Sequence, residues 1–485
     1  MELGLFAQDA WKLQRLTLNL GIRWDYINMG YPAFDLAAGP YVPARHVDEL
    51  SHVPDWKDIN PRIGAAYDLF GNGRTALKAS IGRFNQLSRS DMTRRYHPFS
   101  SSIVSAQRNW TDSNNNYIPD CDLANFAAQD LSASGGDICG VISNQNFGKF
   151  LPQATQYDPS IIKDNRDFIW DINTEIDHEL FHGVSVSLAY NHNWDGTYTY
   201  TDNLAWQPSD FDEYCITIPN DSRLPNAGQQ QCGFYDINPA KQSLSSLYVD
   251  SANKTDKHAK YHYARYWDGL TISGSGRLPR NISIGGGVDF GQNVDDHCFT
   301  IDVPNQPNDI NNTNTGGPFC KNVTTWKDNL DFRLRGSIPL KFGITTSAIY
   351  RNTQGANENA TWAIPANAIT NPAYGFKWNT VNTPGGRTTL TAAKTIPLFT
   401  PNSLFGPRFQ QLDFSVNKSF NLGWGRLRAA LDLYNALNGN SIQNLQSAYG
   451  FDGTKAANDI SFNKWLKPTQ FIDPRLVRVT ASIDF

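Results

Sequence analysis

LTLNLGIRWDY, Leu16 to Tyr26, sets apolar Leu16, Leu18, Leu20, Ile22, Trp24 and Tyr26 against polar or small Thr17, Asn19, Gly21, Arg23 and Asp25. The period is two, as in a pleated strand with one apolar and one polar face. Two environments produce that alternation: a sandwich core that buries the apolar face, or a membrane barrel that turns it to lipid. Length separates them. Eleven residues at about 3.3 Å each reach about 36 Å, which at a tilt near 45° crosses a lipid band of about 25 Å. Ordinary soluble strands stop at about five or six residues.

The pattern recurs to the end of the chain. Ile63, Ala65 and Tyr67 alternate with Arg62, Gly64 and Ala66, and Gly71 to Gly73 turns the chain into Leu77, Ala79 and Ile81. Val184, Val186, Leu188 and Tyr190 form another such set, as do Ile282, Ile284, Val288 and Phe290, then Phe332 and Leu334 against Arg333 and Arg335. Leu412, Phe414 and Val416 lead across NLGWG into Leu427, Leu431 and Leu433. The chain closes on Val477, Val479, Ala481, Ile483 and Phe485. About 13 strands follow from these runs, joined alternately by short turns and by long Asn-, Gly- and Asp-rich segments. Short turns on one side and long loops on the other are the habit of outer-membrane barrels. Trp24, Tyr26, Tyr67, Tyr190 and Trp194 fall near strand ends, where interfacial aromatics belong.

Composition supports this reading. The chain has 485 residues, 12% aromatic and only 18% charged, with a net charge of -4. No broad basic field exists, which argues against a nucleic-acid partner. No run of about 18 apolar residues occurs, which removes a transmembrane helix but not a transmembrane barrel. Met1 leads at once into the strand-like ELGLFAQDAW, so no signal peptide is expected ahead of the first strand. The six cysteines are near neighbours in sequence as Cys121 with Cys139, Cys215 with Cys232 and Cys298 with Cys320. None has zinc-type spacing, so local disulfides in an oxidising compartment are expected, with locality alone choosing the pairing.

ELGLFAQDAWKLQRLTLNLGIRWDY and INPRIGAAYDLFGNGRTALKASIGRF together resemble TonB-dependent outer-membrane receptors, especially the Oar-like group. The resemblance continues through DNLAWQPSDFDEY, RFQQLDFSVNKSF, RLRAALDLYNALNGN and DPRLVRVTASIDF. It implies a plugged barrel of about 22 strands, an energising inner-membrane complex that acts through a segment before the plug, and a terminal Phe485 read by the barrel-assembly machinery. An odd strand count cannot close an antiparallel barrel. The expectation is therefore an all-β transmembrane antiparallel barrel portion over residues 1–485, supplying about 13 C-terminal strands of about 22, with the plug absent.

In that frame Leu16, Leu18, Leu20, Ile22, Trp24, Val477, Val479, Ile483 and Phe485 face lipid, while Asn19, Arg23, Asp171, Glu175, Arg333 and Arg335 face the lumen. The expected function is uptake of a large nutrient, an oligosaccharide, peptide or chelated metal, across the outer membrane of a Gram-negative bacterium. Two alternatives stand beside it: an adhesion or structural barrel without transport, and a secreted β-rich carbohydrate-binding protein. No enzymatic motif stands out. His178, Glu179 and His182 spell the zinc-protease HExxH, but Gly183 and the flanking strand patterns deny it a helix, so a turn between strands is expected. Asp112, Asn114, Asn116, the Ile118 carbonyl and Asp120 follow the every-second-residue spacing of calcium loops, without the glycine at the sixth position or the acid at the twelfth. Calcium in an extracellular loop and a solvated Asn-rich loop both fit. Trp110, Trp206, Trp362 and Trp378 could stack on a flat ligand or pin loops together.

Overall fold

The computed structural model describes all residues except 40, 87–89, 152, 154, 165, 238–240, 242–243, 253–262, 300–316, 365–379, 383–387, 391–394, 451–463 and 485. Thirteen long strands form one antiparallel meander. They are β1 (Glu2–Leu13), β2 (Leu16–Asn28), β3 (Asp55–Asp68), β4 (Thr75–Asn85), β5 (Phe168–Phe181), β6 (Val184–Asp195) and β7 (Ala264–Leu278). After them come β8 (Ile282–Asp296), β9 (Asp331–Pro339), β10 (Ile344–Thr353), β11 (Phe409–Asn421), β12 (Arg426–Tyr434) and β13 (Leu476–Asp484). Each pairs with its sequence neighbours, and the short strand Lys321–Thr324 adds beside β8. Because neighbours run antiparallel, all the short turns gather at one end of the sheet and all the long connections at the other.

The turns are built by residues that tolerate a left-handed backbone. Gly71 and Gly73 have φ of 71° each, Gly183 has φ of 82°, and Gly423 has φ of 81°. Asp68 secures the first of these by accepting from the backbone N–H groups of Gly71 and Gly73 at 2.9 Å each. Of the HExxH residues only His182 lies in the expected turn, because the strand before it runs on to Phe181. His178 and Glu179 pair with Val186 and Ser185 within the β5–β6 ladder, His182 is fully exposed, and Glu179 accepts from the Gly183 N–H at 3.2 Å.

Register aligns the alternation across the sheet. Leu16, Tyr67, Leu77, Ile176, Leu188, Ile272, Val288 and Phe332 are successive cross-strand partners from β2 to β9. One residue further along, the partners are Thr17, Ala66, Lys78, Glu175, Ala189, Thr271, Asp289 and Asp331. An apolar row thus backs onto a polar row across eight strands, since cross-strand partners share a face. Leu18, Leu20, Ile22 and Trp24 share the apolar face with Leu16, and Val477, Val479 and Ile483 share the apolar face of Leu433 and Leu431 at the far edge. Phe485 lies outside the described residues. Asn19, Arg23, Asp171, Glu175, Arg333 and Arg335 all fall on the polar face.

Among the described residues, no protein packs over the apolar face. Ile22 is 52% exposed, Leu188 45% and Val479 78%. A contiguous apolar surface spanning a whole sheet far exceeds the few hundred Å² that a water-soluble monomer shows. Aromatic pairs rim this face toward the long-loop end. Trp24 stacks on Tyr26 (centroids 5.9 Å), Trp170 on Trp194 (6.2 Å), Phe290 meets Trp326 (5.8 Å) and Phe332 meets Tyr350 (6.0 Å).

Turning the apolar face to hydrocarbon predicts an asymmetric response to charge. Leu188→Arg is expected to destabilise the folded protein in phospholipid vesicles by about 2–4 kcal/mol in denaturant titration, the cost of a cation at the bilayer midplane. Ser80→Arg, exposed on the polar face, should cost less than about 1 kcal/mol. Equal effects would refute the assignment.

Candidate functional site

Two surfaces carry chemistry: the polar face of the sheet and the folded mass of long connections above it. On the polar face several charges are paired along or across strands. Lys78 on β4 reaches Glu175 at 3.0 Å and also contacts Asp177, both on β5, and Ser187 on β6 donates to Asp177. Arg23 binds Asp25 at 2.7 Å, and the Asn60 amide donates to the same carboxylate at 3.1 Å. Near the other edge Arg478 binds Asp432 at 2.8 Å and Arg428 binds Asp484 at 3.2 Å. Asn173 donates to Asn191 across β5 and β6. A strand pattern DINTEID puts Asp171, Asn173, Glu175 and Asp177 on one face because alternate side chains point the same way.

Between these paired regions the face opens into a depression of about 720 Å³ over β6 to β10. Ser185, Ser187, Ser273 and Ser275 floor it together with Gly285 and Gly287. Arg333 and Arg335 of β9 and Arg351 of β10 wall it. Arg351 was not legible as a site residue, although Thr345, Ser347 and Ile349 mark its face by alternation.

The long connections hold the buried core of the molecule. Tyr214, Ile216, Ile218, Phe234, Phe319, Ile364, Ile396, Leu398, Tyr449 and Trp465 form one cluster, with Tyr214 0% and Trp465 1% exposed. They come from four different connections, after β6, β8, β10 and β12. The hairpin Phe211–Thr217 with Gln230–Ile237 frames the cluster. A second cluster joins Ile27, Val53, Trp56, Met92, Ile161 and Val249. The three disulfides pair as locality indicated, Cys121–Cys139, Cys215–Cys232 and Cys298–Cys320, all within this cap. Trp206 donates from Nε1 to the Lys241 carbonyl at 2.9 Å and packs on Phe211, while Trp362 packs against the main cluster. These two pin loops. Trp110 is partly exposed beside Cys139, and Trp378 lies outside the described residues.

The calcium-spaced loop is closed by its own hydrogen bonds. Asp112 accepts from the backbone N–H groups of Asn116 (3.2 Å) and Tyr117 (2.9 Å), and the amides of Asn114 (2.5 Å) and Asn116 (2.8 Å) donate to Asp120. The Ile118 N–H donates to the Asn116 side chain at 2.7 Å. Fully buried Asp137 accepts from Ser113 and Asp120 N–H groups. Among the described residues no three His, Cys, Asp or Glu side chains gather around one point.

Where cap meets sheet, Arg166 donates to Asp58 at 2.8 Å with both side chains nearly inaccessible, and the guanidinium also lies over Trp56. Nothing periodic marks Arg166 in sequence, so this anchor was invisible there. Beside it, burial pushes the Asp167 carboxyl up to about 6, neighbouring Asp195 pushes the same way, and Arg166 pulls it back.

The family described as "Outer membrane beta barrel domain" matches residues 1–263, more than half of the 485. Among curated proteins, the TonB-dependent transporter Oar of Myxococcus xanthus is 26% identical over 196 residues, 39% of this chain and 17% of that protein. Among solved structures, the ferric-catecholate import receptor Fiu of E. coli aligns with all of this chain and 44% of its own, at 11% identity and a TM-score of 0.43. The ferripyoverdine receptor of Pseudomonas aeruginosa aligns with all of this chain and 38% of its own, at 13% identity and a TM-score of 0.44. The chain spans less than half the length of each.

Two outcomes follow for the cap. A carboxyl raised in the folded state is bound more tightly to its proton there, so its contribution to stability is full below the ordinary carboxylate range and lost as pH rises through about 6. Asp167→Asn should therefore remove a fall in cap stability between pH 4 and pH 7, read as protease resistance of the loops across that range; an unchanged slope would exclude Asp167 as its source. Trp465→Ala should loosen the cap by about 3–5 kcal/mol. Its signature is rapid loop proteolysis with heat-modifiable migration of the sheet intact.

Proposed function

The chain belongs to the outer membrane β-barrel domain family, and on that premise we propose that it forms wall and extracellular cap of a TonB-dependent receptor. In this reading the receptor takes up a large solute, an oligosaccharide, peptide or chelated metal. The protein resides in the outer membrane of a Gram-negative bacterium. One observation carries the functional reading: the placement of apolar side chains is inverted relative to a soluble sheet protein. Leu188, Ile272 and Val479 stand exposed on the sheet, whereas Tyr214, Phe234 and Trp465 are buried in the connections.

That inversion divides the labour. A sheet whose apolar face meets lipid needs no packed core behind it, which frees the opposite face to carry Lys78, Glu175, Asp177 and Arg333 in a hydrated lumen. Connections with their own core and disulfides present a rigid outer surface, and rigid scaffolds for loops are the usual basis of ligand recognition. Energy for passage would come from an inner-membrane complex. The alternating last strand, Leu476–Asp484, is the segment that the barrel-assembly machinery would engage.

Uptake tests the reading. Cells lacking the gene are expected to lose growth on one solute class at limiting concentration, and complementation should restore growth only while the proton-motive force is intact. Uptake that survives a protonophore would exclude energised transport and leave a passive barrel.

A further inference from the structure

The depression over β6 to β10 gathers three arginines on one stretch of the polar face. Elsewhere on that face several cations are matched, Arg23 by Asp25, Lys78 by Glu175 and Asp177, Arg478 by Asp432 and Arg428 by Asp484, while Arg62 lies over the Phe84 ring. Within the depression Arg333 and Arg351 are direct cross-strand partners, and Arg335 follows two residues along the same face. Like charges directly opposite on one face destabilise a sheet, with Cβ atoms only about 4.5–5.5 Å apart. Two carboxylates stand at the loop-side rim and offset part of this charge. Asp331 takes Arg333 at 3.5 Å and the Gln354 N–H at 3.2 Å, and Asp289 accepts from the Thr271 hydroxyl at 2.8 Å. Among the described residues, neither Arg335 nor Arg351 has a carboxylate within 4.0 Å.

The floor fits the charge. Gly285 and Gly287 carry no side chain into the hollow, and close approach keeps them so: a Cβ on Gly287 would come within 2.8 Å of the Ile272 carbonyl, and one on Gly285 within 3.4 Å of Arg335 Nε. Hydroxyls of Ser185, Ser187, Ser273 and Ser275 line the same hollow. Planar guanidinium forks match carboxylate and phosphate oxygens two at a time, and serine hydroxyls donate to the oxygens that remain. We propose that this hollow, walled by Arg333, Arg335 and Arg351 and floored by serine and glycine, binds a solute that carries oxyanion groups, as a station on the solute path. The bound anion also relieves the Arg333–Arg351 repulsion.

This inference rests on the polar face being a solute path, and its test does not require transport. The full chain, folded in detergent, is titrated by calorimetry with inorganic phosphate and separately with propane-1,2,3-tricarboxylate. Saturable binding of either is expected, weakening as sodium chloride is raised, and the stronger probe distinguishes phosphate from carboxylate ligands. Arg335→Gln and Arg351→Gln should each weaken it tenfold or more, while Arg428→Gln, paired at the far edge, should leave it unchanged. If an arginine variant fails to fold, Ser273→Asp decides, because it sets a carboxylate in the hollow and should abolish binding where Ser273→Asn preserves it. Absence of saturable binding, or equal affinity in the variants, overturns the proposal. Intact anion binding with no cellular uptake would overturn the receptor reading alone.

Discussion

Backbone hydrogen bonding in hydrocarbon is the constraint on which this architecture depends. Each N–H and C=O that crosses a bilayer must be paired within the protein, and a strand can meet that demand only through its neighbours. In the meander β1 to β13 every interior strand is paired on both sides, while β1 and β13 each have one neighbour among the described residues. Strands of nine to fifteen residues result, because each must pass the whole lipid band. Once the ladder is satisfied, side chains are free to follow solvent, with apolar rows outward and polar rows inward.

The consequence is a molecule whose packed core lies outside its sheet. Leu188 and Ile272 gain from hydrocarbon what Tyr214 and Trp465 gain from each other, since removal from water is the common driving force. Connections that long would otherwise be costly to order. Their apolar clusters, the Arg166–Asp58 anchor and three disulfides offset that cost, and the clusters knit residues as distant as Tyr214 and Trp465 into one body. Local disulfides such as Cys215–Cys232 staple a single hairpin, whereas the shared cluster joins different connections.

Legibility in the sequence followed locality. The period-two runs, the glycine turns at Gly71 to Gly73 and Gly183, and the cysteine pairing are all determined within about twenty residues of chain, and each reads directly from spacing. The order of strands also follows, because alternating short and long links leave one antiparallel meander. What could not be read arises between distant segments. Arg166 meets Asp58 across 108 residues, and Trp362 meets the main cluster through loops with no periodic pattern. Arg333 and Arg335 were recognisable as polar-face residues, but their convergence with Arg351 depends on the register of β9 against β10, which no single strand encodes.

A polar face beside water does not by itself specify a site; satisfied charge does not either. Lys78 with Glu175 and Asp177, or Arg478 with Asp432, are exposed pairs of opposite sign, and such pairs contribute little to stability and present little net field. They keep a hydrated wall neutral and permissive. Arg335 and Arg351 are different, because the sheet holds them beside Arg333 with no carboxylate of their own among the described residues, and the surrounding Gly and Ser positions withdraw side-chain bulk at the same place. Where backbone geometry sets like charges side by side and small residues clear the space before them, an anionic ligand finds both charge and room.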